Sequence, residues 1–203
     1  GVATIRFSPI SGETASLGLH AADLNIRSVS SATCAASVVA NPGDDNIQIL
    51  LEPPAPAGHE CEVRIEYEVN DPAEGLYWMV DREIGADSRA AIVTLGQPES
   101  NRYWFPCLDW PGERVTSEVN LTVPAGNVVV SNGRLEGREK VDLPGGRGAG
   151  ERFRIEASGS QPIQTLTAGL VKPDFLRPRQ NLLLDATASR QRLEAYDSDS
   201  LGA

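Results

Sequence analysis

Few side chains here can start a reaction. The chain has 2 histidines, His20 and His59, and 3 cysteines, Cys34, Cys61 and Cys107. The zinc-protease pattern His-Glu-x-x-His needs a helix, which sets both imidazoles on one face. His59-Glu60 opens that pattern, but Val63 stands where the second histidine belongs, and the stretch alternates like a strand. No Cys-x-x-Cys pair is present to build a zinc knuckle or a dithiol centre. A Gly-x-Ser-x-Gly nucleophile elbow is absent, and His20 falls in an alternating segment. The glycine-rich segment 144–150 lacks the Gly-Lys-Ser/Thr ending of a phosphate loop and reads as a hairpin tip. These residues supply neither a catalytic group nor a metal-ligand set of their own. A Cys34–Cys61 disulfide stays open for an exported chain; small buried thiols are the simpler reading.

One stretch is chemically dense: Gln97-Pro98-Glu99-Ser100-Asn101-Arg102-Tyr103-Trp104-Phe105-Pro106-Cys107-Leu108-Asp109-Trp110-Pro111. Pro106 and Pro111 lack backbone donors and push the chain out of a regular ladder. Asp109, between them, is suited to accept local backbone N–H bonds. Trp104, Phe105 and Trp110 are large apolar anchors. The combination predicts a rigid loop that fixes the residues before it.

The elements that would position this loop have a period of two. In 61–69, Val63, Ile65, Tyr67 and Val69 fall on one face and Glu62, Arg64, Glu66 and Glu68 on the other. In 117–123, Val119, Leu121 and Val123 point in, and Glu118, Asn120 and Thr122 point out. Further strands are expected at 3–7, 17–20, 24–29, 47–51, 90–95 and 128–130. Ser131-Asn132-Gly133 signals a tight turn, and 53–58, rich in proline, a loop between strands. Short strands at such spacing predict an all-β antiparallel sandwich. One short helix is expected late, from Asp185 to about Tyr196.

Composition limits the partners. The 203 residues carry 28 acidic and 18 basic side chains, a formal charge of −10. Nucleic acid is not expected as a partner, because phosphate binding needs clustered Lys and Arg. No apolar run reaches the roughly 20 residues of a membrane-spanning helix. Gly1 rather than Met begins the chain, as expected of a processed or excised segment. Asn120-Leu121-Thr122 matches the N-glycosylation acceptor triplet, which is common by chance.

Thr94-Leu95-Gly96-Gln97, Arg102 five residues after Gln97, and Phe105-Pro106-Cys107-Leu108-Asp109-Trp110-Pro111 together resemble the N-terminal domain signature of the aminopeptidase N family of zinc metallopeptidases. Other pieces agree in order: Leu24-Asn25-Ile26-Arg27-Ser28-Val29, Ile65-Glu66-Tyr67 with Glu74-Gly75-Leu76-Tyr77, the segment 116–124, and Val130-Ser131-Asn132-Gly133. The resemblance runs from about Ile5 to Leu135. It implies a saddle-shaped β domain over 1–175, followed by an unmatched tail, 176–203. It also implies a separate catalytic domain that holds zinc and is missing from this chain, leaving no cofactor here.

The resemblance further implies substrate-binding roles. The partners would be the catalytic domain and the N-terminus of a peptide substrate. Gln97 matches the position that holds the substrate's α-amine. An amide oxygen offers an ammonium less than a carboxylate does, but leukotriene hydrolase-like members also carry Gln there. Glu99, two residues on and on the same side of an extended chain, is the second candidate. Leu95 replaces a family Gln that lines the pocket for the first side chain, and would favour an apolar residue. The alternative is a non-catalytic β-sandwich module that binds a protein assembly or carbohydrate, since some relatives keep the architecture without the zinc site.

Overall fold

The computed structural model describes residues 1–40, 45–80, 90–110, 115–143, 147–159, 166–170 and 187–189. Among them the strands are β1 (Val2–Phe7), β2 (Thr14–His20), β3 (Leu24–Ser31), β4 (Ala35–Ala40), β5 (Asn46–Ala55), β6 (Cys61–Val69), β7 (Leu76–Val80), β8 (Ala90–Thr94), β9 (Val115–Pro124), β10 (Val128–Ser131), β11 (Arg134–Asp142), β12 (Ala149–Gly159), β13 (Leu166–Leu170) and β14 (Thr187–Ser189). One turn of 3-10 helix spans Asn101–Tyr103. The strands form four sheets, ordered β14-β1-β6-β3, β10-β13-β8-β7, β11-β12-β9 and β2-β5-β4. The described pairs are antiparallel except β1 with β14, which is parallel. The architecture is all-β, as the alternation predicts.

Period two sends one face of each principal strand into a shared core. Ala3, Ile5 and Phe7 of β1, Ile47, Ile49 and Leu51 of β5, and Cys61, Val63, Ile65 and Tyr67 of β6 are buried together with Val119, Leu121 and Val123 of β9. Their neighbours Arg64, Glu66 and Glu68 face water, where Arg64 pairs with Glu66 and Arg27 with Glu68. Thr122, expected to point out, is instead buried, and its hydroxyl accepts a hydrogen bond from Arg152 Nε at 3.3 Å. The cause is β12, which pairs with β9 and carries Arg152 opposite Thr122.

Several local expectations change. Pro53, Pro54 and Ala55 extend β5 rather than forming a loop. They tolerate this because β4 pairing ends at Glu52, and the β2 pairing there is interrupted by a register shift between Thr14 and Ser16. The chain bends at Asn132-Gly133, where the turn signal lies, and changes sheets there, since β10 belongs with β13 and β11 with β12. Gly133 is needed there because a Cβ would stand 2.6 Å from the Glu156 carbonyl oxygen. The glycine-rich segment does join a hairpin, β11 to β12, closed by Leu143 N–H to Gly148 O at 2.9 Å; residues 144–146 lie outside the described residues. Thr187–Ser189, inside the expected late helix, form a strand beside β1. The rest of that helix lies outside the described residues.

Ile65 lies mid-sheet in β6 and is 0% exposed. Ile65→Ala should cost about 2–5 kcal/mol, the range for truncating a fully enclosed aliphatic side chain. On the wet face of the same strand, Glu68→Ala should leave stability close to that of the wild type. Urea unfolding of both variants checks the contrast.

Candidate functional site

Strand β8 leads directly into the chemically dense stretch. Leu95 follows its last residue and donates its N–H to the Gly75 carbonyl at 3.0 Å, so the β7–β8 pairing continues one step. Ser100 N–H then bonds the Gly96 carbonyl at 3.0 Å, closing a turn over Gln97, Pro98 and Glu99. The 3-10 turn follows, and Asn101 O accepts from Trp104 N–H at 3.0 Å and Phe105 N–H at 3.1 Å. Ser100 Oγ donates to Glu74 Oε2 at 2.9 Å. Trp104 is buried, with its indole N–H 3.3 Å from Asn101 Oδ1 and its ring packed edge-on to Phe105.

Two glycines permit this fit. Gly75 has φ +78°, and a Cβ there would collide with the Ser100 carbonyl. At Gly96 a Cβ would run into the Asn101 side chain.

A buried charge cluster fastens the loop from below. Asp109 is 4% exposed, and its Oδ2 accepts both the Arg102 backbone N–H at 3.1 Å and Arg102 Nε at 3.2 Å. Arg102 Nη2 reaches Glu99 Oε2 at 2.7 Å. One guanidinium therefore spans both ends of the loop. The end of β2 joins the cluster. His20 N–H bonds Cys107 O at 2.8 Å, Cys107 N–H bonds His20 O at 3.0 Å, and Ala22 N–H bonds Arg102 O at 2.9 Å. The His20 ring accepts the Asp109 N–H on Nδ1 at 3.0 Å and meets the Trp110 ring edge-on, with centroids 5.0 Å apart. Burial, reinforced by the Arg102 charge, lowers the His20 pKa from its ordinary value. Full burial holds the Cys107 thiol well above its usual range, so it is an inert core group.

The expected substrate-binding residues lie at the rim of this assembly. Gln97 and Leu95 are exposed, and Glu99 is half-buried and paired with Arg102. Asp109 accepts a local backbone N–H, as its place between prolines suggests. The sequence gives no hint of His20, whose partner Asp109 is 89 residues away.

Beside the rim lies a bare apolar sheet face. Strand register sets Tyr77, Val93, Thr167 and Val130 in one row, and Met79, Ala91, Gly169 and Val128 in the next. Tyr77, Met79, Val128 and Val130 are 39%, 58%, 57% and 61% exposed. Alternation puts Leu95, 45% exposed, on the same face two residues beyond Val93. On the opposite face Leu76 and Ile92 are buried in the core, while Trp78 is 48% exposed. Among the described residues no group of three or more His, Cys, Asp or Glu is placed to hold a metal ion. No helix among them is long and apolar enough to cross a membrane.

Residues 1–148 match the family described as the peptidase M1 N-terminal domain. Transcription initiation factor TFIID subunit 2 of Danio rerio is 33% identical over 119 residues, covering 55% of this chain and 10% of that protein. Aminopeptidase B of Mus musculus is 27% identical over 82 residues, covering 40% of this chain and 12% of its own length. The matched part of the chain thus spans between about a tenth and a fifth of the length of its curated relatives. Among solved structures, an M1 zinc metallopeptidase from Deinococcus radiodurans aligns with a TM-score of 0.56 at 16% identity, over 83% of this chain and 41% of that one. At that identity the likeness is one of fold.

Gly75→Ala should lower stability by more than about 1 kcal/mol, because it combines a positive φ with a backbone collision. Gly58 also has a positive φ, but its surroundings are open. Gly58→Ala should therefore cost less, and thermal unfolding of the two variants tests the difference.

Proposed function

The chain belongs to the peptidase M1 N-terminal domain family, and from that premise we propose that it is the cleft-covering, substrate-anchoring domain of a zinc metalloaminopeptidase. The observation that carries this reading is the set of exposed apolar side chains on one face of this sheet, Tyr77 and Met79 of β7, Leu95 just past β8 and Val128 and Val130 of β10, with the exposed Gln97 two residues beyond Leu95. Several large apolar side chains exposed on one sheet face mark an interaction site. An interface that ends at an exposed amide suits a domain that closes over a cleft and presents one polar group to it.

In this reading the described residues hold no metal cluster, and the zinc sits on the separate catalytic domain, where it would activate water for attack on the first peptide bond. The contribution of this chain is orientation. The Gln97 side-chain oxygen accepts a hydrogen bond from the substrate's α-ammonium, which selects a free amino end. Leu95 offers an apolar wall to the first side chain. Glu99 shares its carboxylate with Arg102, so it serves chiefly to hold the turn and is the second anchor rather than the first.

A second reading has its own support. The match to TFIID subunit 2 is longer and closer than that to aminopeptidase B, 119 residues at 33% against 82 at 27%. Here the same face would seat the domain in a large non-catalytic assembly, and Gln97 would have no substrate.

Kinetics of the longer polypeptide that joins this domain to its neighbour separate the two. With peptide substrates bearing a free α-amine, Gln97→Ala should raise KM roughly tenfold, the scale of a lost hydrogen bond to a charged group. Unchanged kinetics would remove Gln97 from the site. Absence of aminopeptidase activity in the wild-type polypeptide would favour the assembly reading.

A further inference from the structure

The His20 ring takes no part in the anchoring just described, yet it lies at the base of the loop. Its Nδ1 accepts the Asp109 N–H at 3.0 Å. A ring nitrogen can accept only through a free lone pair, so the proton of the neutral ring must sit on Nε2. The surroundings hold the ring at this spot. Its own backbone is bonded in both directions to Cys107, Trp110 covers it edge-on, and the residue is 7% exposed.

We propose that His20, as the neutral Nε2–H tautomer, is the positioning residue that fixes the loop from Leu95 to Asp109, and that a second proton on its ring releases that loop. Protonation puts an N–H on Nδ1, facing the N–H of Asp109. A donor then meets a donor in a buried place, and the bond is lost together with its pairing. The ring would turn instead to an acceptor, and the Cys107 carbonyl is close enough to favour the charged form. The link from Asp109 to the rim is short: its carboxylate holds Arg102 by backbone and side chain, and Arg102 holds Glu99.

The charged groups around the ring oppose one another. Burial and Arg102 disfavour the imidazolium, while Asp109, Glu99 and the Cys107 carbonyl favour it, and the balance lies toward the neutral form. The release therefore belongs to mildly acidic solution, below the ordinary His value of 6.5. The folded pKa is the lower one, so the stabilisation is complete above 6.5. It is lost as pH falls from 6.5 toward the folded value, and no further below that.

This inference rests on the anchoring reading only for its consequence to substrate. The lock itself can be tested without any substrate, so its failure and that of the Gln97 kinetics are distinguishable. The full 203-residue chain, labelled with ¹⁵N, is titrated from pH 7.5 to pH 4.5 by nuclear magnetic resonance. At the upper end His20 should show Nδ1 unprotonated and Nε2 protonated. On acidification the amides of Glu99, Arg102 and Asp109 should shift together, with the midpoint of the His20 ring and below 6.5. His20→Asn supplies an oxygen acceptor that does not titrate; its loop amides should stay near the wild-type neutral positions and lose the shared transition. A proton on Nδ1 at pH 7.5 would overturn the proposal. So would loop amides that follow a carboxylate midpoint, or a His20→Asn variant that keeps the wild-type transition. If His20→Asn does not fold, the tautomer and shared midpoint of the wild-type chain decide the matter alone.

Discussion

The Asp109 carboxylate group is enclosed, with 4% of the residue's surface exposed. Burying a carboxylate costs several kcal/mol unless its lone pairs are met. Arg102 meets it twice, through backbone N–H and through Nε, and is itself withdrawn from water, with 13% of its side chain exposed. The pair therefore forces the chain between them, Tyr103 to Leu108, into one conformation, with Trp104 and Phe105 driven into the core. Through Arg102 the constraint passes on to Glu99, and through Ala22 and His20 it is tied to the end of β2. The turn over Gln97 is thus built on a braced platform rather than a free loop.

That platform gives the rim its meaning. Leu95 and Gln97 lie where a core-packed sheet turns its other, apolar face outward. Tyr77, Met79, Val128 and Val130 stay out of the buried core and keep between 39% and 61% of their surface exposed. A rigid loop beside that face holds Gln97 at a defined position, as the proposed anchoring of a substrate's amino end would require. Membership of the peptidase M1 N-terminal domain family is consistent with the proposed role.

The parts of the fold that read from sequence are those where a single face is buried. Cys61–Val69 alternates without a break, and β6 has those bounds. β11 did not read as a strand because its residues are exposed on both sides. It is held by cross-strand pairs such as Arg138 with Glu151 and Glu139 with Arg152, which leave no hydrophobic period. Pro53 and Pro54 read as a loop because proline breaks ladders in general; only the register of β2 and β4 shows that no donor is needed there. In the site, Asp109 was legible because its donors are local. His20 was not, because a histidine ending an alternating strand looks the same whether or not an amide 89 residues away points at it.

Everything in this account depends on the loop being braced by the Asp109–Arg102 pair in the folded chain. Amide hydrogen exchange of the wild-type protein at pH 7 tests that most directly. The N–H groups of Arg102 and Asp109, bonded to Asp109 Oδ2 and His20 Nδ1, should exchange as slowly as those of β6, opening only with global unfolding. Exchange at the rate of the exposed turn residue Gly126 would show a loop that opens on its own, and would contradict the account.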